Sequence, residues 1–131
     1  MTRSADIDLD WADGTYRFRL GFAQLRELQE KTGFGAFRTL RRAIEGDWGV
    51  DEISQTLRLG LIGGGTSPGD ALRLVRTYVE ARPAAESTEH ALAVLMAAVH
   101  GVADEPLGKE AAPATATETS PLNSPPSTAT G

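Results

Sequence analysis

Polar and apolar residues alternate with a period of two over Asp6–Trp11 and again over Tyr16–Leu20, around Asp13-Gly14. That pattern predicts a β-hairpin, with Asp-Gly as a preferred two-residue turn. With Asp13 and Gly14 as the turn, Trp11 faces Tyr16, Leu9 faces Phe18 and Ile7 faces Leu20 on one side. On the other side Asp10 faces Arg17 and Asp8 faces Arg19, so apolar and opposite-charge pairs agree on one register. A one-residue slip would lose both sets, because it turns every side chain to the other face. An isolated two-stranded ribbon is marginal in water, so the apolar face must pack on the segments that follow.

Those segments switch to helical spacing. Phe22, Leu25 and Leu28 make a first stripe ended by Gly33, and Phe34, Phe37, Leu40 and Ile44 make a second ended by Gly46. A third helix begins at Val50-Asp51-Glu52, its acidic first turn suited to the helix dipole, with Ile53, Leu57 and Leu61 as its inward stripe. Thr66-Ser67-Pro68 starts a fourth, a hydroxyl cap before proline, carrying Leu72, Val75, Tyr78 and Val79 as far as Pro83. A fifth, from about Ser87 to His100, carries Leu92, Leu95, Met96 and Val99 among alanines and closes at Gly101. The expected class is α+β and mainly α: an N-terminal hairpin packed on four to five short helices, over residues 1–103.

Composition changes after that point. From Asp104 onward the chain is mostly Ala, Thr, Pro, Ser and Glu, with Leu107 and Leu122 its sizeable apolar residues. Residues 104–131 are therefore expected to form a disordered tail, since they bury too little to offset chain entropy. Setting aside Lys109 and the acids Asp104, Glu105, Glu110 and Glu118 leaves 12 basic and 14 acidic residues in 1–103. A nearly neutral domain gives no nucleic-acid footprint, and the largest basic cluster, Arg38, Arg41 and Arg42, reads as a solvated helix face. The absence of cysteine removes disulfides, thiol catalysis and cysteine metal sites together. No segment has the length of a signal peptide's apolar core or a membrane span, which makes a cytoplasmic chain the expectation.

Candidate chemistry is thin. The run Leu57–Ser67 holds the triplet Gly63-Gly64-Gly65, but it follows a helical stripe instead of a strand and has no lysine for the outer phosphates. It is better read as a helix C-cap and flexible connector than as a phosphate cradle. His90 and His100 sit ten residues apart on one helix, about 15 Å between Cα atoms, too far to share a metal ion. Arg17 and Arg19 stand opposite two of Asp6, Asp8 and Asp10, so ion pairing accounts for that pattern without a metal, and no serine elbow or paired carboxylates in an apolar frame occur. No enzyme, cofactor or metal is therefore expected. Trp48, in the polar loop Glu45–Gly49, is either a lid on the core or a partner contact.

Taken in order, the hairpin, Leu20–Gly33, Phe37–Gly46 and the aliphatic helix running into the glycines (Leu57, Gly60, Leu61, Gly63, Gly64, Gly65) resemble the gene-transfer-agent family of phage tail proteins. The resemblance covers about residues 5–103. It implies a tail-assembly chaperone that binds the tape-measure protein, a client with long apolar helices, with tape-measure or other tail proteins as partners and self-association open. The alternative is a minor, tube-associated component retained in the particle; a stand-alone regulatory helical module is a third class. Tube subunits rely on extensive sheet, and one hairpin is legible here. Partner contacts are expected at Trp48 and in a groove between the helices of Leu57, Leu61 and Leu92.

Overall fold

The computed structural model describes residues 3–103. In chain order it contains β1 (Arg3–Ser4), β2 (Asp6–Trp11), β3 (Gly14–Arg19), α1 (Phe22–Thr32), α2 (Ala36–Ile44), α3 (Val50–Gly63) and α4 (Pro68–Val75). A π-helical turn (Arg76–Glu80), a 3₁₀ turn (Ala84–Ser87), α5 (Thr88–His100) and β4 (Val102–Ala103) complete it. The class is the expected one: among the described residues there are five α-helices and an N-terminal hairpin. The expected tail, 104–131, lies outside the described residues.

The hairpin keeps its predicted faces but not its predicted register. β2 and β3 pair as Ile7↔Phe18, Leu9↔Tyr16 and Trp11↔Gly14, so the turn is Ala12-Asp13, not Asp13-Gly14. The two registers differ by two residues. Such a shift leaves every side chain on its own face, so periodicity cannot separate them. Ala12 has φ 57°, the positive value a II′ turn needs at its first central position. The charge pairs move with the strands: Arg17 donates to Asp8 at 2.9 and 3.3 Å and Arg19 to Asp6 at 3.4 Å, while Asp10 accepts from the Thr15 hydroxyl at 2.7 Å. On the apolar face the Trp11 ring lies edge-on to Tyr16, Phe18 and Tyr78, at centroid distances of 5.9, 5.6 and 6.1 Å.

α3 is the axis on which the rest is assembled, touching β3, α1, α4 and α5. Ile53, Leu57, Leu59 and Leu61 are buried on it, so it is apolar round most of its circumference. Its last turn explains the glycines. A Cβ at Gly63 would stand 1.8 Å from the Arg19 carbonyl oxygen, one at Gly64 would stand 2.0 Å from that of Arg17, and one at Gly60 would press on Val94 and Phe18. The backbone of β3 therefore lies directly on α3, which no side chain would permit. The run does cap the helix, at Gly64, but in the right-handed region; the connector part of the expectation is corrected, since Gly63 is helical and Gly65 alone, at φ 113°, makes the exit.

Local signals set the other boundaries. Gly33 ends α1 in the left-handed conformation, and Gln24 accepts from the Gly21 N–H at 3.0 Å in place of the missing hydroxyl cap. Ser67 accepts from the Asp70 N–H ahead of Pro68, as its hydroxyl and the proline imply. At the other end of the predicted fourth helix, Ala81 N–H reaches back to the Arg76 carbonyl, the wider spacing of a π turn.

Arg42 departs from the solvated face expected for it. It donates to Glu52 at 2.6 Å, its guanidinium lies 4.2 Å from the centre of the Phe34 ring, and Glu52 in turn accepts from the Gly49 N–H at 2.8 Å. One side chain thus ties α2 to the start of α3. Glu52 also holds the Arg42 guanidinium above its ordinary pKa by accepting its hydrogen bond.

Candidate partner-binding surface

Two expected contact residues are core. Leu57 and Leu61 are 0 % exposed on α3, so the expectation of a partner groove lined by them is corrected. They fill the space under β3 and α5 and present nothing to a partner while the domain is folded. The other two are brought together. Trp48, half-buried against the core, and Leu92 of α5 line one concavity of about 370 Å³ with Ala43, Ile44 and the rim residues Glu45 and Glu89.

Beside that concavity lies a surface the helical pattern misplaced. α2 buries Thr39, Leu40 and Ala43, while Phe37 is 76 % and Ile44 62 % exposed. Phe37 and Ile44 belong to one outward face, seven residues apart, with Arg41 between them at the i+4 position. The expected inward stripe of Phe34, Phe37, Leu40 and Ile44 is wrong for two of its members. A nine-residue helix with apolar residues on two edges can be turned either way, and Thr39 and Ala43 are small enough to let α2 sit close to α5. Arg41 inside the stripe was the available signal, because no such residue fits a core face.

Around this face the charges follow an order along the chain. Arg38 lies 4.8 Å over the Phe34 ring, and among the described residues neither it nor Arg41 joins an ion pair; nor do Glu45 and Glu89. Along α2 the cations Arg38 and Arg41 come before the anion Glu45, which caps the helix.

A second concavity, about 620 Å³, opens at the hairpin turn between Trp11, Thr15, Tyr78, Arg82 and His90. Its polar groups are largely engaged with one another. His90 Nε2 lies 3.1 Å from the Asp10 carbonyl oxygen, and Arg82 donates to Glu86 at 2.7 Å, which holds the guanidinium above its ordinary pKa. The Tyr16 hydroxyl donates to Asp13 close by, and its pKa is raised by that bond. His90 Nδ1 is buried without a hydrogen-bond partner. His100 lies at the far end of α5, where its carbonyl accepts from Arg3 at 3.0 Å. Among the described residues no three His, Asp or Glu side chains converge as a metal set.

The glycine run offers no anion cradle in this geometry. The N–H groups of Gly64, Gly65 and Thr66 donate back to carbonyls of Gly60, Ile62 and Leu61. Among the described residues no helix is long and apolar enough to cross a membrane.

A family model described as "Phage tail tube protein, GTA-gp10" matches residues 4–101, nearly the whole of the folded unit. No curated protein and no solved structure matches the chain.

Proposed function

The chain belongs to the phage tail tube protein family, GTA-gp10, and from that membership we propose that it is a structural component of a gene-transfer-agent or phage-like tail, retained in the particle. The match across residues 4–101 carries this reading, since it spans hairpin and helices alike. The described residues pair only short strands, the longest six residues each, too little sheet to close a ring by strand pairing alone. The role is accordingly that of a protein associated with the tube, which meets other tail proteins through side chains. It is synthesised in the cytoplasm and has no enzymatic step, cofactor or nucleic-acid contact of its own.

A second reading is the tail-assembly chaperone that holds the tape-measure protein. The exposed strip of Phe37 and Ile44 beside the Trp48–Leu92 concavity favours it, because an amphipathic helix docks on such a surface. The family description favours the structural role. Quantitative mass spectrometry of purified particles separates the two: the proposal expects the chain in fixed stoichiometry with other tail proteins. Abundance in assembling cells combined with absence from finished particles establishes the chaperone instead.

A further inference from the structure

The α2 surface has the property of a self-complementary contact. An isologous two-fold interface places one patch against itself, so the first half of a helix lies on the second half of its counterpart. On α2 the unpaired cations Arg38 and Arg41 precede the unpaired anion Glu45, and the unpaired Glu89 lies on the far rim, so opposite halves attract. We propose that this face binds the same face of a second copy of the chain about a two-fold axis, the Phe37 ring of each entering the concavity between Trp48 and Leu92 of the other.

The register follows from the charges. A dyad centred on Arg41 would set two guanidiniums face to face. Moving it along the outward face to a point between Arg41 and Glu45 sets each Arg41 opposite Glu45 of the second copy and carries Phe37 past the end of that copy's α2, towards the Glu45–Gly49 loop that bears Trp48. The concavity, about 370 Å³, is ample for a phenyl ring, given that a cavity of about 150 Å³ accepts benzene. Closure removes Phe37 and Ile44 from water on both copies, and Trp48 gains the second wall that its half-burial leaves open. None of this depends on whether the chain stays in the finished particle.

The test is sedimentation equilibrium of the full chain from low micromolar to about 1 mM, the weak end of specific association. The wild type should reach dimer, and Phe37→Ala should raise the dissociation constant at least about tenfold, as loss of a buried aromatic anchor does. Phe22→Ala, which removes a phenyl 78 % exposed on α1, should leave it unchanged. Arg41→Glu and Glu45→Arg should each be monomeric alone, yet form a heterodimer when mixed, because both cross-pairs then carry opposite charges. Circular dichroism melts confirm that each variant is folded, and either the aromatic or the charge series suffices if the other fails to fold. A wild-type monomer throughout the range overturns the proposal. So do equal effects of Phe37→Ala and Phe22→Ala, or mixed charge variants that stay monomeric.

Discussion

The seam between α3 and β3 and the outward face of α2 are opposites built from the same alphabet of helical apolar spacing. At the seam Gly63 and Gly64 let a strand's backbone lie on the helix, Gly60 makes room for the Phe18 and Val94 side chains, and Leu57 and Leu61 have no exposed surface. On α2, Phe37 and Ile44 stand in solvent beside a half-buried Trp48. The seam is where stability is concentrated, because nothing there can move without a backbone clash or a cavity. The α2 face contributes little to folding, and its side chains are available for contact with other proteins.

Gly63→Ala should break the first half of that contrast most severely. In an open helix interior this change gains roughly 1 kcal/mol. Here the new methyl meets the Arg19 carbonyl, and a loss of about 3 kcal/mol is expected from overpacking against backbone. Thermal melting beside Gly69→Ala, a helical glycine with no neighbour within 4 Å, checks it: the control should hold or gain stability while Gly63→Ala loses it. Equal melting points would mean that β3 does not rest on α3.

Glu52→Ala comes next, since it leaves Arg42 without its acceptor between α2 and α3 and frays the start of α3 at Gly49. Removing one member of a buried ion pair predicts a loss of about 3 kcal/mol in denaturant unfolding, the low end for such pairs because Arg42 keeps Asp47 at 3.7 Å. A change within error would place Arg42 in solvent and loosen α2 from the core.

Thr56→Val has the opposite sign. The Thr56 hydroxyl is fully buried and has no hydrogen-bond partner, so replacing it with a methyl should stabilise by about 1 kcal/mol. A loss in urea unfolding would reveal a partner for that hydroxyl.

The smallest effect lies on the hairpin's exposed side. Arg17 holds the Asp8 carboxyl below its ordinary value of 3.8 through their hydrogen bond. A lowered folded-state pKa adds stability above the ordinary value, and that contribution is lost as pH falls through the folded one. Asp8→Asn should therefore melt slightly below wild type at pH 7, with the gap closing below pH 3.8. A gap that persists in acid would assign the effect to packing.

The same contrast explains what could be read from the chain. Helix boundaries were legible because their signals are local: Ser67-Pro68, Gly33 and the acidic start of α3 act within a turn of themselves. Hairpin faces were legible and pairing was not, since a two-residue shift preserves alternation and Ala12 carries no mark of a turn. The purpose of Gly63 and Gly64 depends on which strand crosses them, a fact about residues more than forty positions earlier. Of the expected contact residues, Trp48 and Leu92 do share a concavity, whereas Leu57 and Leu61 belong wholly to the inward stripe; a buried and a binding stripe have the same spacing. The same ambiguity of spacing makes Phe37 and Ile44 read as core residues.

The central proposals are two: that the chain is retained in the tail, and that its α2 face makes its protein contacts whichever role it has. Their most direct test is to quantify the chain in purified particles from cells carrying wild type or the Phe37→Ala, Ile44→Ser double variant. The account predicts wild type in fixed ratio to other tail proteins, and a variant that melts like wild type yet is depleted from particles. Wild type missing from particles, or the variant incorporated at the wild-type ratio, would contradict it.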